Sequence, residues 1–199
     1  MVRTIDGERR RLDLADAVWR LIRRDGFEAA SVRNVAAEAG LSTGSVRHFF
    51  TTQSELQVFA MRALAERVRD RIAVAATEPD PRRRIAAMLA ELLPLTDESA
   101  AEYAAWLQFV LRATVDPALA EVARETFDAV RQLVVRVLDG ARELGLTRPD
   151  LDVPAAALVL NALLDGLTFD AVAAPHLVSR ADVRRALDTH LDTLLTVEV

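Results

Sequence analysis

Three features of the sequence predict an all-α fold of about nine helices. Apolar residues recur at the 3.6-residue helical period along the whole chain, and the alternating β-branched runs that mark strands are absent. Only 7 of 199 residues are Gly, and the 7 Pro fall between the periodic segments or at their starts. With 51% hydrophobic and 28% charged residues, the chain is long enough to bury a sizeable core.

The first helix is expected to begin near Asp6 and end at Arg24 or Asp25, with Leu12, Ala15, Trp19 and Ile22 on one face. Gly26 then takes the left-handed position after the helix, and Phe27 packs back on Ile22. Ser31 caps a short second helix that carries Val32, Val35, Ala36 and Ala39 on one side and stops at Gly40. Ser42 caps a third, from Thr43 to Phe49 or Phe50. Thr52 and Glu55 make a capping box for a fourth that runs to about Ala76, roughly 35 Å at 1.5 Å per residue.

Five more helices follow, at 81–93, 97–114, 117–144, 153–173 and 180–196. Each starts at a cap or first-turn proline: Asp80-Pro81, Asp97, Asp116-Pro117, Asp152-Val153-Pro154 and Ser179. The expected division is a small domain at 1–51 and a larger helical domain at 52–199, linked by the helix 52–76.

Composition narrows the function. The chain has no Cys and three scattered His, His48, His176 and His190, so neither a metal site nor a cofactor is expected. Asp, Glu, His and Ser show no spacing suited to a nucleophile and its base, so no enzyme is expected. The amino terminus lacks a leader pattern and no stretch of some 18 apolar residues is free of charge, which points to the cytoplasm. The net charge is −5, yet residues 1–54 hold nine Arg against seven acidic residues. A basic amino-terminal quarter suits nucleic acid, and an acidic remainder suits solubility.

Two helices joined through Ala39-Gly40-Leu41-Ser42 match the helix-turn-helix, whose second helix enters the major groove of double-stranded DNA. At 100° per residue, Val46, Phe49 and Phe50 form the inner face of that helix. The outer face is Gly44, Arg47 and His48, flanked by Thr43 and Ser45. Gly44 costs the helix about 1 kcal/mol relative to Ala, which an exposed face tolerates for close approach to another surface. Arg47 is suited to guanine O6 and N7. Ser31, Ser42, Thr52 and Gln53 stand at helix starts, where N–H groups meet phosphate. Arg33 adds a basic side chain on the second helix. Arg3 belongs either to an arm that reaches DNA or to a free terminus.

The stretch from Ser31 to Phe50 (SVRNVAAEAGLSTGSVRHFF), with Thr52-Gln53-Ser54-Glu55-Leu56 after it, resembles the signature of the TetR family of bacterial transcriptional regulators. Two positions depart from it, since Arg47 stands where the family commonly has Tyr and Gln53 where it commonly has Lys. Trp106-Leu107-Gln108-Phe109 and Leu164-Asp165-Gly166-Leu167 are similar to the BetI-type ligand domain. The resemblance implies nine helices, a homodimer on a palindromic operator, and a repressor released by a small-molecule effector. The same helix-turn-helix would also serve an activator or a regulator that answers to a protein partner.

The resemblance also implies that the last two long helices pack with their mates as a four-helix bundle. The helix 153–173 agrees, being apolar almost all round. Leu160, Leu163, Gly166, Leu167, Leu187, Leu191 and Leu194 are the residues assigned to that interface. In the second domain, Gln108 and Arg112 lie one turn apart beside Trp106 and Phe109, and Asn161 and Asp165 lie one turn apart in the most apolar helix. Either they orient a ligand in a pocket lined by Leu64, Met88, Leu92 and Phe127, or they make interior hydrogen bonds between helices.

Overall fold

The structure is a computed structural model that describes residues 2–196, with side chains at 10, 11 and 13–196. The side chains of Arg3 and Leu12, singled out above, lie outside the described residues. Nine α-helices and one 3₁₀ turn are present among the described residues, with no strand. They are α1 (Val2–Asp25), the 3₁₀ turn Phe27–Ala29, α2 (Val32–Glu38), α3 (Thr43–Arg47), α4 (Gln53–Ala75), α5 (Pro81–Ala90), α6 (Asp97–Ala113), α7 (Pro117–Glu143), α8 (Val153–Ala173) and α9 (Arg180–Leu194).

The helix ends follow local chemistry. Gly26, at φ +85°, ends α1, and its N–H returns to the Ile22 carbonyl at 2.9 Å. Gly40, at φ +66°, ends α2 with the full paired arrangement, in which Leu41 N–H bonds Ala36 O at 2.8 Å and Gly40 N–H bonds Ala37 O at 3.2 Å. Pro94 cannot continue a helix, and α5 stops at Ala90 rather than at 93. α9 stops at Leu194 because Leu195 turns extended and bridges Thr147. α1 begins at Val2, earlier than the expected Asp6. α3 ends at Arg47, two or three residues short of the expectation, with His48 as its C-cap.

The chain forms two compact units, and they do not divide at 51/52. The first combines Met1–Glu66 with Ala104–Arg124, and the second combines Arg67–Tyr103 with Glu125–Val199. The first unit's core explains its reach: Leu56, Ala60, Met61 and Leu64 of α4 share it with Leu14, Val18 and Leu21 of α1, Val35 of α2 and Val46 of α3. Phe109 of α6 and Leu119 and Val122 of α7 complete it. A helix-turn-helix of some fifty residues has a small core by itself, and these later segments enlarge it.

The second unit packs Ile85 and Leu89 of α5, Val134 and Leu138 of α7, Leu160 and Leu164 of α8, and Val183, Leu187 and Leu191 of α9 into one core. The capping box Ser179/Asp182 starts α9. Arg82 on α5 bonds Asp192 at 2.5 Å and the Thr196 carbonyl at 3.2 Å, which fixes the last helix.

Candidate nucleic-acid interface

The helix-turn-helix is held by its caps. Ser31 Oγ accepts the Asn34 N–H at 3.2 Å, and Ser42 Oγ accepts the Ser45 N–H at 3.1 Å while bonded to the Ser45 hydroxyl at 2.9 Å. Each cap is worth about 1 kcal/mol. Asn34 Nδ2 donates to the Ala29 carbonyl at 3.0 Å, binding α2 to the turn before it. At the far end, Glu38 accepts from Arg20 at 2.9 Å and from Arg24 at 3.0 Å. Those two guanidiniums hold its carboxyl below the ordinary glutamate range.

Val46 turns inward and is fully buried, Phe50 is buried and Phe49 is half-buried. Thr43, Gly44, Ser45, Arg47 and His48 are exposed together. Arg33 and Arg47 make no hydrogen bond or ion pair among the described residues, so both guanidiniums are available. The His48 ring meets Phe49 edge-on at 5.6 Å, which limits its rotation. A Cβ added to Gly44 would meet only Ser42 Oγ at 3.7 Å. Nothing inside the protomer therefore requires glycine there.

Next in the chain, Glu55 Oε2 accepts the Thr51 N–H at 2.7 Å, the Thr51 hydroxyl at 2.9 Å and the Thr52 N–H at 3.4 Å. Thr52 Oγ1 accepts the Glu55 N–H in return at 3.1 Å. The bond from the Thr51 N–H leads in holding the Glu55 carboxyl below its ordinary range. Thr52 and Gln53 are left exposed at the start of α4. Ser31, Arg33, Ser42, Thr43, Gly44, Ser45, Arg47, His48, Thr52 and Gln53 thus lie within one short run of the first unit.

The residues assigned to an effector pocket divide between the units. Leu64 and Phe109 are core residues of the first unit, and Trp106 stacks on Phe109 at 5.7 Å. Gln108 Oε1 accepts the Phe27 N–H at 3.2 Å, and Arg112 pairs with Glu28 at 3.3 Å. In the second unit, Met88 and Leu92 pack against the core and Phe127 is exposed. Asn161 donates to the Ala157 carbonyl at 2.8 Å. Asp165, exposed and unpaired among the described residues, has its carboxyl raised by burial against protein. Tyr103 is pushed up to about 12 by burial first and by Asp165 second.

Of the residues assigned to a dimer interface, Leu160, Leu187 and Leu191 are buried inside the protomer. They form its own α8–α9 seam and have no surface to offer a partner. Leu163, Leu167 and Leu194 are half-buried, and Gly166 is exposed. The outward apolar residues of α8 are instead Leu158, Val159 and Phe169, each more than half exposed.

Sequence reasoning missed the polar centre of the second unit. Arg71 bonds Glu102 through both terminal nitrogens, at 3.0 and 2.6 Å, and Glu91 through Nε at 2.9 Å. The signal was a single Glu inside the run Ala100-Ala101-Glu102-Tyr103-Ala104-Ala105, where a charge needs a buried partner. Gln57, fully buried with neither amide atom bonded, was missed too.

Residues 14–58 match the model of bacterial regulatory proteins of the tetR family, and residues 81–196 match that of the BetI-type transcriptional repressor C-terminal domain. The chain is 35% identical over 196 residues to the HTH-type transcriptional regulator PksA of Bacillus subtilis, covering 98% of this chain and 94% of that one. It is 32% identical over 198 residues to the HTH-type regulator BetI of Burkholderia mallei, covering 96% of each. A solved transcriptional regulator from Rhodococcus superposes with a TM-score of 0.79 at 32% identity, over 95% of this chain and 99% of that one. A regulator from Saccharomonospora viridis, solved in complex with choline, shares the fold with a TM-score of 0.85 at 23% identity, over 96% of this chain and all of the other.

Proposed function

The chain belongs to the TetR family of transcriptional regulators, with a DNA-binding and a ligand-binding domain, and from that premise we propose that it is a homodimeric repressor released from a palindromic operator by a small-molecule effector. The outer face of α8 carries the reading. Leu158, Val159 and Phe169 are 53%, 55% and 53% exposed in the protomer. A Cβ on Gly166 would meet nothing within 4 Å, so a residue that costs a helix about 1 kcal/mol has no use within one protomer. A second copy packed on this face covers the leucine, valine and phenylalanine side chains and uses the close approach that glycine permits.

A two-fold dimer presents its recognition helices to half-sites about 34–36 Å apart. Arg47 reads a base, Thr43 and Gly44 pass close to the backbone, and Ser31, Arg33, Ser42, Thr52 and Gln53 meet phosphates. Ser45 and His48 complete the groove-facing set. The effector occupies the second unit beside Asn161, Asp165, Met88, Leu92 and Phe127. By preferring an arrangement in which the two recognition helices are mis-spaced, it lowers operator affinity in proportion to its differential binding.

The experiment is sedimentation of the full chain at micromolar concentration, alone and with an operator selected from a random-sequence pool. A dimer bound as two protomers to one palindrome is expected, and Phe169→Glu yields monomers that lose cooperative binding. A wild-type monomer in both conditions overturns the reading. Mass spectrometry of ligand retained on the native protein supplies the effector, and operator affinity unchanged by it overturns the release. Choline, seen in the Saccharomonospora viridis regulator, is the first molecule to titrate.

A further inference from the structure

α9 turns two faces to different surroundings. Val183, Leu187 and Leu191 are buried inside the protomer. On the other side, Asp182, Arg185, Ala186, Thr189, His190 and Thr193 fall at helical spacing on one stripe. With Leu163 of α8 they line a surface groove of about 440 Å³. Leu163 joins this groove to the outer face of α8, because Val159, Leu163 and Gly166 are spaced four and three residues apart and share one side of that helix. Val159 on that stripe is 55% exposed, and Phe169, three residues beyond Gly166, is 53% exposed.

The His190 imidazole lines the groove, yet its Nε2 is closed off from water and bonds nothing among the described residues. A neutral imidazole tolerates this by carrying its proton on Nδ1, which leaves Nε2 a bare acceptor, whereas an imidazolium carries a proton on both nitrogens and needs an acceptor at each. Burial holds the imidazole below the ordinary histidine range. Among the described residues no unpaired charge in the groove offsets this: Asp182 and Arg185 line it as a bonded pair at 2.6 Å. Asp188, bonded to Arg184 at 3.0 Å, and Asp192, bonded to Arg82 of α5 at 2.5 Å, stand two residues to either side of His190, about 160° round the helix from it. On α8, Asp165 lies about 160° round from Leu163, where it acts on Tyr103. Asp170 is exposed about two turns further along.

We propose that a second copy covers this groove and closes it only over a neutral His190, so that protonation of the two imidazoles, one in each copy, dissociates the dimer. The inference rests on the proposed homodimer and adds to it a control by acidity. A two-fold interface uses the same patch on both copies, so a copy that covers α8 at Leu163 also lies against α9 at His190, and each encloses the imidazole of the other. The water expelled from the groove is water that a charged imidazole needs. Acid therefore favours the free protomer, and because the half-sites of a palindrome are read in pairs, it loosens operator DNA as well.

The test is sedimentation equilibrium of the full chain from about pH 8 to about pH 5, across the histidine range, at fixed ionic strength. The wild-type Kd for dimerisation is expected to rise as pH falls. The rise approaches about a hundredfold per pH unit between the imidazole pKa of the free protomer and its lower value in the dimer, which corresponds to two protons per dimer. His190→Gln, which stays polar and cannot charge, loses that dependence, whereas His176→Gln keeps it. Imidazole proton shifts of the wild type, followed by NMR above and below the dimer Kd, read the same property should His190→Gln fail to fold, and they place the His190 pKa lower in the dimer. A wild-type dimer whose affinity is independent of pH or strengthened by acid, the full dependence kept by His190→Gln, or one His190 pKa in both states overturns the inference alone. A wild type that stays monomeric at every pH, with operator and without, overturns the proposed function and this inference with it.

Discussion

Arg71 and Glu102 meet as a fork, two guanidinium nitrogens on two carboxylate oxygens at 3.0 and 2.6 Å, with the carboxylate almost wholly enclosed. Glu102→Leu leaves Arg71, whose side chain is 32% exposed, with Glu91 as its remaining partner. The expected loss is about 1.5 kcal/mol, that of a charge-assisted hydrogen bond, while the joint replacement by Met at 71 and Leu at 102 costs less than the single change. Urea denaturation of Arg71→Met, Glu102→Leu and the double variant checks this, and strict additivity would sink the idea of a coupled pair.

Two glycines give opposite signs on the same substitution. Gly26 stands at φ +85° and ψ 171° with the Gln108 amide against its open side, so Gly26→Ala destabilises by about 1–3 kcal/mol. Gly140 lies inside α7 with nothing within 4 Å of a new Cβ, so Gly140→Ala stabilises by about 0.5–1 kcal/mol. Equal shifts in denaturation midpoint would contradict the assignment.

Arg47→Ala is expected to cost about 1–3 kcal/mol of operator affinity and to relax preference at one base position. Gly44→Ala is expected to raise stability by about 1 kcal/mol, the helix propensity of alanine over glycine, and to weaken DNA binding all the same. Titrations on a panel of single-base operator variants separate these outcomes. Uniform weakening on every sequence would make Arg47 a phosphate contact.

Asp165 supplies the pH prediction. Burial raises its carboxyl, so the folded chain holds that proton more tightly than the unfolded chain does. The resulting stability is fully present below the ordinary carboxylate range and is lost as pH rises through the raised value. Asp165→Asn removes that loss: its Tm exceeds the wild type at about pH 7 and matches it near about pH 3. The variant also brings the Tyr103 phenol down, since Asp165 is the second cause of its rise. A Tm difference independent of pH would refute the linkage.

Local chemistry was legible in the sequence and distant pairing was not. Ser31, Ser42 and the Thr52/Glu55 box act within one helical turn, and a positive φ at Gly26 follows from where α1 must end, although its ψ of 171° is extended and not that of a left-handed cap. Gln108 reaches Phe27 across 81 positions, and no periodicity encodes that. The domain boundary at 51/52 missed the place of Ala104–Arg124 for the same reason. In α8, apolar on every side, spacing could not tell inward from outward. Leu160 faced the protomer core while Leu158 and Val159 faced out. The ligand-facing or structural role of Gln108, left open by its spacing, acquired a partner only once Phe27 was placed.

The first unit is assembled from two stretches of chain, the second ending at Arg124. During synthesis the helix-turn-helix therefore leaves the ribosome long before Phe109, Leu119 and Val122, which complete its core. A nascent chain halted after residue 66 carries the exposed face of α3 but lacks the part of the core that Phe109, Leu119 and Val122 supply. A graft of residues 1–51 onto another scaffold leaves those core segments behind, and its packing has to be completed by new apolar residues.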